Sequence, residues 1–523
     1  MIVPLTPLMF LRRTAKLYPH KLAVVCGENR FSYSQFNQRI QQLSWSLKNL
    51  GVNSGMVIAY LSRNCHRLLE GYYGVIQTGA ILLPINVRLT QTDLLYILNH
   101  SNANVLFLQK EFLPVIEKIL EKLKSIKHFI ILNDTPKKTW LRPFNYEQQL
   151  RNSINDPFPD QLKDENSVAE LFYTSGTTAK PKGVMLTHRN LYLHTQTVVW
   201  AHQNQDSDIQ LHSIPLFHAN AWGATHSITF VGGTHVMLSK FRPAKFFQLI
   251  ETEKVTSFNL VPTMASMLLD FQRIPKAFST LRLIHLGGST VPSEMVKQLE
   301  STFGCSCSCG YGLTETSPVL TISIIKSHLK EDSSSHYKRA AMTGIELPGN
   351  EVKVVDENGR DVRQNGKMIG EIITKSNLVM KGYWKQPEET AQAIKGGWFH
   401  TGDLATVDSE GYLMIVDRKK DIIIRGGENI SSIEVEKTLV THPAILECAV
   451  IAIPNKKWGE TPKAFVVIKE DYQVSKQELK FYCRKRLATY KIPSSFEIVQ
   501  SLPKGVTGKI LKKILRISHC ENP

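Results

Sequence analysis

Eleven consecutive residues, Tyr173-Thr174-Ser175-Gly176-Thr177-Thr178-Ala179-Lys180-Pro181-Lys182-Gly183, carry four Ser or Thr hydroxyls, two glycines and two lysines. The backbone N–H groups, hydroxyls and ammonium groups of such a loop can wrap an anionic phosphate. No Gly-Lys-Ser/Thr closes the loop, so it is not a Walker A sequence, and the absence of Gly-x-Gly-x-x-Gly disfavours dinucleotide binding. A carboxylate placed near such a loop suits Mg²⁺ as a hard oxygen ligand that offsets phosphate charge, and Glu315 in Gly310-Tyr311-Gly312-Leu313-Thr314-Glu315-Thr316-Ser317-Pro318 is the candidate. Each residue also has a plainer reading when taken alone. Thr314-Glu315 suits a helix start, Asp403 a turn, and Lys509 a solvated surface.

The elements that must position these groups are legible from periodicity. Residues 57–60, 80–84, 105–108 and 128–132 read as buried strands, and 33–50 and 91–100 as amphipathic helices. Strands alternating with helices predict parallel sheets built from βαβ units, and the alternation resumes from 209 to 286. The phosphate-type loop follows an apolar strand, 168–172, and precedes a segment read as helical. Residues 331–335, Glu-Asp-Ser-Ser-Ser, read as a loop. Between 351 and 416, turn sequences separate short strands, which predicts a meander or small barrel. After the charged pentapeptide Asp417-Arg418-Lys419-Lys420-Asp421, the remaining hundred or so residues mix helices (432–439, 475–487) with strands (449–453, 464–468), the pattern of one small α+β domain.

Composition narrows the function classes. The chain has 523 residues, 42% hydrophobic and 21% charged, which are globular values that exclude a disordered or collagen-like chain. Eight cysteines are too sparse for a disulfide scaffold and suit a reducing compartment. Cys305, Cys307 and Cys309 alternate, but no fourth ligand lies nearby, so they read as buried small side chains. No apolar run reaches the ~20 residues that a membrane span needs. The apolar start is followed, not preceded, by Arg12 and Arg13, the reverse of a signal peptide. A cytoplasmic protein is expected. The net charge of +17 favours anionic partners. It leaves room for peripheral contact with an anionic membrane at its inner face, but no recognition helix, zinc knuckle or aromatic-basic sheet points to nucleic acid.

Taken together, the motifs resemble those of the adenylate-forming superfamily of acyl-CoA synthetases, luciferases and peptide-synthetase adenylation domains. That family's loop usually reads Tyr-Thr-Ser-Gly-Thr-Thr-Gly-x-Pro-Lys-Gly, and Ala179 stands here where a glycine is common. The resemblance runs in order from Phe31 to Lys509. It implies a large N-terminal α/β domain (1–417) of parallel sheets plus a small β-barrel, a hinge (418–420) centred on Lys420, and a mobile α+β domain (421–523). By resemblance Thr174, Ser175, Gly176, Thr177, Thr178 and Lys182 hold the ATP phosphates, and Glu315 with Thr174 holds Mg²⁺. Thr314 touches phosphate, while Gly288, Ser289, Tyr311 and Gly312 flank the adenine. Asp403, in Trp398-Phe399-His400-Thr401-Gly402-Asp403, binds the ribose with Arg418.

Lys509, in Pro503-Lys504-Gly505-Val506-Thr507-Gly508-Lys509-Ile510, resembles the catalytic lysine of adenylation, although Gly505 departs from the usual threonine. Pro215-Leu216-Phe217-His218-Ala219-Asn220-Ala221-Trp222-Gly223 resembles the version found in fatty acyl-CoA synthetases. By that resemblance His218 sits at the acyl end, Trp222 can gate the acyl tunnel, and Gly287 borders the acyl site. The apolar segments 228–231, 261–264 and 267–269 suit either a greasy channel or plain core. The function implied is an ATP-dependent medium- or long-chain fatty acid–CoA ligase, with coenzyme A as co-substrate. The alternatives are an acyl- or aryl-acid ligase that loads a carrier protein, a degenerate adenylate binder and a nucleic-acid-binding protein. A homodimer is left open.

Overall fold

The computed structural model describes residues 3–133, 143–174, 180–275, 278–329, 333–426, 428–455, 457–470, 472–504 and 510–520. Among these residues the chain forms four sheets. The β-branched runs that the sequence marks as buried strands lie at the centre of the first. Its eight strands run in the order Gly382–Tyr383, Lys182–Thr187, Val168–Thr174, Ile81–Ile85, Val57–Leu61, Ala103–Leu108, His128–Ile131 and Phe144–Asn145. Strands Val57–Leu61 and Ile81–Ile85 are buried along their whole length, as expected of a parallel sheet covered on both faces.

The second sheet has nine strands. Its parallel centre consists of Ser306–Gly312, Leu283–Leu286, Ser257–Leu260, Ile209–His212, Thr234–Met237 and Leu22–Cys26. Helices Tyr33–Asn49 and His66–Gln77 pack against one another and share a single apolar core with residues of both sheets, including Val24, Tyr60, Phe107 and Met237. A capping box formed by Ser32 and Gln35 starts the first of these helices and satisfies two of its free backbone N–H groups.

The third sheet is the antiparallel meander that the turn residues predict, with strands Asn350–Val355, Gly370–Ser376, Trp398–Val407, Ile394–Lys395 and Leu413–Arg418. The fourth contains Glu428–Ile430, Ile423–Arg425, Gly459–Ile468, Ile445–Asn455 and Ser495–Ile498. Helices Ser432–Val440 and Lys476–Arg484 pack on its core through Val435, Leu439, Leu479 and Cys483.

Two local expectations fail. The segment after the phosphate-type loop is not helical at first. Lys182–Thr187 is a strand antiparallel to Val168–Thr174, because Val184 and Leu186 are wholly buried against that neighbour, and the helix His188–His202 begins only where Thr187 and Asn190 form a capping box. The serines read as loop begin a helix, Ser333–Ala340, whose Tyr337 and Ala340 pack on the core of the nine-stranded sheet. Here tertiary burial overrides turn composition. Among the described residues no helix is long and apolar enough to cross a membrane.

Candidate active site

Thr174, Gly287, Gly288, Tyr311 and Gly312 lie at or just beyond the carboxyl ends of strands Val168–Thr174, Leu283–Leu286 and Ser306–Gly312, where open α/β sheets bind ligands. Leu283–Leu286 and Ser306–Gly312 run parallel with Leu286 beside Cys309. The turn after one strand therefore faces the end of the other. Gly287 lies in that turn, and a Cβ there would come within 3.3 Å of both the Gly310 carbonyl oxygen and the Trp222 ring. Gly288, at φ +81°, is exposed with Ser289 beside it, and a Cβ on Gly288 would meet Val261 at 3.1 Å and Trp222 at 3.7 Å. At Gly312 a Cβ would lie 1.7 Å from the Pro318 carbonyl oxygen, so the requirement for glycine there is steric.

Asp403 joins two sheets. It sits in Trp398–Val407 opposite Arg418 of the adjacent strand. Its side chain accepts from the Tyr311 hydroxyl at 2.8 Å and pairs with Arg418 Nε at 3.2 Å. Only 5% of Asp403 is exposed, while the Arg418 side chain is 36% exposed. Burial first, and then the Asp403 charge, push the Tyr311 phenol well above its usual value, so it remains a donor.

A second group surrounds Glu315. Strand Ser306–Gly312 leads into the single 3₁₀ turn Thr314–Thr316, which presents the Glu315 carboxylate beside buried Thr314. Tyr383 Oη donates to Glu315 Oε1 at 3.0 Å. The same tyrosine ring lies beneath Lys182 Nζ, 4.9 Å from its centroid, and Lys182 also pairs with Glu389. Lys182 is the strand partner of Thr174. Tyr383 thus ties the end of the phosphate-type loop to the acidic turn. Neither Tyr383 nor Glu389 stood out in the sequence, because their roles depend on the two-residue strand Gly382–Tyr383 docking on Lys182–Thr187. Ser175, Gly176, Thr177, Thr178 and Lys509 lie outside the described residues. For Lys509 the flanks are described: Lys504 and Ile510 form an isolated bridge, and Lys504 pairs with Glu447 at 2.6 Å.

The acid-side segment is unusual in its backbone. Ala219, Asn220, Ala221 and Trp222 all have positive φ, from 44° to 61°, and Gly223 continues at 86°. A left-handed residue other than glycine costs roughly 1–2 kcal/mol, so this turn must be held from outside. Asn220 provides part of the hold. Its Nδ2 donates to Glu170 Oε2 at 3.0 Å and its Oδ1 accepts from the Gly223 N–H at 2.7 Å. His218, with its N–H on the Pro215 carbonyl, immediately precedes the turn. Upstream, Asn64 and Tyr72 fix the chain through the backbone of residues 212–216. The sequence did carry one signal for this network, a carboxylate, Glu170, inside an otherwise apolar strand.

On the other side of Arg418, Asp417 faces the C-terminal part of the chain. It accepts from the Ser432 N–H and hydroxyl, each at 2.6 Å. Lys512 reaches Ser432 Oγ and pairs with Glu436 at 2.7 Å, and Arg516 pairs with Asp421 at 2.6 Å. Lys420 is exposed in the turn between Leu413–Arg418 and Ile423–Arg425.

Among the described residues no three His, Cys, Asp or Glu side chains cluster as a protein-made metal site. Cys307 and Cys309 are buried in the core with Cys305 packed beside them, and burial pushes the thiols of Cys305 and Cys309 up to about 12. The donor set around Glu315 still fits Mg²⁺, which typically takes one or two carboxylates plus substrate phosphates and water. Burial pushes the Glu315 carboxyl above its usual value and Asp403 adds to the rise, whereas the Tyr383 hydrogen bond and Arg418 oppose it. A divalent cation would offset that penalty.

Two family models match the sequence. Residues 11–384 match AMP-binding enzymes, and residues 434–509 match the AMP-binding enzyme C-terminal domain. The chain belongs to the AMP-binding enzyme family. Within this family it is 36% identical to a peroxisomal butyrate–CoA ligase of Arabidopsis thaliana, covering 98% of this chain and 93% of that one. It is also 36% identical to a long-chain-fatty-acid–CoA ligase of Thermus thermophilus, covering 97% and 94%. The crystal structure of an anthranilate CoA ligase in complex with anthranoyl-AMP superimposes with a TM-score of 0.89 at 26% identity, covering 99% and 98%. The α/β architecture, with its distinct C-terminal sheet, is that of adenylate-forming enzymes.

The raised Glu315 pKa gives a signed prediction. A carboxyl whose pKa is higher folded than unfolded stabilises the fold when protonated, and this contribution is lost as pH rises through the folded value. Ionised Glu315 is therefore a stability cost at neutral pH. Glu315→Gln should raise the melting temperature at about pH 7, with the gain shrinking toward about pH 4. It should also lower pyrophosphate release from ATP. Melting curves across pH and a pyrophosphate assay on the same variant check both halves.

Proposed function

We propose that this AMP-binding enzyme is an ATP-dependent acid–CoA ligase acting on a medium- or long-chain carboxylic acid. The observation that carries the reading is the buried Asp403 carboxylate, held by Tyr311 and Arg418 beside the Glu315 turn and the Trp222–Gly287 contact. A nucleoside, a phosphate chain and an acid would then meet in one crevice. The carboxylate oxygen attacks the α-phosphorus, the bond to the β-phosphate oxygen breaks, and pyrophosphate leaves. The CoA sulfur then attacks the acyl carbon, expelling AMP, and the thiol proton passes to solvent.

Asp403 accepts from the ribose hydroxyls and Arg418 reaches toward ribose and phosphate. Tyr311 is pinned by its own hydrogen bond to Asp403, so it lies flat along the adenine without searching rotamers. Thr174, Ser175, Gly176, Thr177, Thr178 and Lys182 bind the phosphates, and Thr314 touches them. Glu315 with Thr174 would hold Mg²⁺, which when bound neutralises triphosphate charge. Lys509 stabilises charge developing on the α-phosphate and carboxylate oxygens. None of these groups forms a bond to substrate; they position it and match its charge.

We place the boundary between the two working parts at 418–420, with 1–417 holding the nucleotide and 421–523 turning about Lys420. Support comes from the neighbouring residues Asp417 and Arg418, which serve opposite sides of the strand. After adenylation the C-terminal part withdraws Lys509 and brings the Arg425–Asn429 loop toward the thiol. Medium or long acids are favoured by the likeness to the long-chain ligase, and aryl acids by the likeness to the anthranilate ligase.

The deciding experiment is CoA-dependent AMP release with ATP and Mg²⁺ across saturated acids from acetate upward, with benzoate and anthranilate included. A maximum among medium or long chains is the expected result. Pyrophosphate exchange without CoA-dependent AMP release would instead point to a carrier-protein acceptor. Separately, Lys509→Ala should cut adenylation by at least about a hundred-fold. The same variant should leave CoA attack on supplied acyl-AMP within a few-fold of wild type. Equal loss of both half-reactions in rapid-quench assays would contradict this division of labour.

A further inference from the structure

Glu170 and His226 form a buried pair with no part in the chemistry above. Glu170 is 0% exposed and His226 1% exposed, and His226 Nε2 lies 2.8 Å from Glu170 Oε1. The pair lies on two different elements, strand Val168–Thr174 and helix Ala224–Val231. The other Glu170 oxygen accepts from Asn220, which is itself wholly buried. Asn220 then fixes Gly223 through its Oδ1, and its carbonyl accepts from the Thr225 hydroxyl at 2.6 Å. A further side chain, Asn259, donates to the Ala221 carbonyl at 3.3 Å. Apart from the Glu170–His226 pair itself, each of these contacts involves the left-handed turn that carries Trp222. The Trp222 ring, in turn, stands against the Gly287–Gly288 turn.

We infer that the Glu170–His226 pair and Asn220 act as a positioning clasp that holds Trp222 as the stop of the acid pocket, so that acid length is set partly from the protein core. Four successive non-glycine residues at positive φ do not persist without such support. The Asn220 amide joins Glu170 to the Gly223 N–H just past Trp222, while its main-chain carbonyl is held by the Thr225 hydroxyl. If the clasp is released, the turn relaxes toward ordinary backbone conformations and the indole leaves the Gly287–Gly288 surface. The pocket then lengthens. Asp403, Tyr311 and Arg418, which belong to other strands, stay where they are.

The inference rests on the acid–CoA ligase reading, and its test separates the two. AMP release is measured with acids from butyrate to palmitate for wild type, Asn220→Ala, Asn220→Gly, Trp222→Gly and the Asn220→Gly/Trp222→Gly double variant. Asn220→Gly guards against misfolding, since glycine accepts the left-handed backbone while removing the clasp. Both Asn220 variants should shift the palmitate-to-butyrate ratio of kcat/KM by about ten-fold toward the longer acid, with KM for ATP unchanged. Trp222→Gly should give the same shift, and adding Asn220→Gly to it should change the ratio by less than about two-fold. A merely structural role would lower rates with all acids and leave the ratio alone. An active Asn220→Gly enzyme with an unshifted ratio, or an equal shift on top of Trp222→Gly, would overturn the inference. A wild type that releases no AMP with any acid would overturn the ligase reading and the clasp's role with it.

Discussion

The buried Asp403 carboxylate binds a side chain of the nine-stranded sheet to one of the antiparallel sheet. A carboxylate that is 5% exposed is costly unless its oxygens are matched, and here the match comes from two directions. Tyr311 reaches it from the nine-stranded sheet, and Arg418 from the neighbouring strand of the antiparallel sheet. The next residue back from Arg418 is Asp417, whose side chain points the other way and holds the first turn of helix Ser432–Val440. Strand alternation therefore puts one charge toward Asp403 and the next toward helix Ser432–Val440. The contacts to Asp403 and to helix Ser432–Val440 thus start from adjacent residues.

Around that joint, stability has been given up for pre-organisation. Glu315 is kept ionisable where burial opposes its charge, and four residues before Gly223 sit in a backbone region that non-glycine residues avoid. Both are compensated by groups drawn from distant parts of the sequence. Tyr383 donates to Glu315, and Glu170 accepts from Asn220. Functional groups held by partners of this kind need little rearrangement when charge develops, which is the basis of electrostatic preorganisation.

Much of this was legible in the sequence. The parallel core was readable because strands such as Val57–Leu61 are apolar throughout, and the meander because its turns carry Asn-Gly and Glu-Gly pairs. Lys182–Thr187 escaped because a short strand ending in a helix cap looks much like the start of the helix. Ser333–Ala340 escaped because its stability comes from Tyr337 and Ala340 resting on a core assembled elsewhere. Among candidate site residues, Glu315, Asp403 and Arg418 sit in contiguous motifs, which is why the sequence alone could single them out. Tyr383, Glu389, Glu170 and His226 act across long sequence separations, where periodicity carries no signal. Glu170 alone left a trace, as a charge in an apolar strand.

The claim at the centre of this account is that Asp403 grips the ribose of an acyl-adenylate. It is tested most directly by binding non-hydrolysable acyl-adenylate sulfamates with ribose, 2′-deoxyribose and 3′-deoxyribose to wild type and to Asp403→Asn. In wild type, each lost hydrogen bond to the charged carboxylate should weaken binding by about ten-fold or more. In Asp403→Asn, ribose and deoxyribose forms should bind within a few-fold of one another. Equal discrimination by both proteins, or none in wild type, would contradict the account.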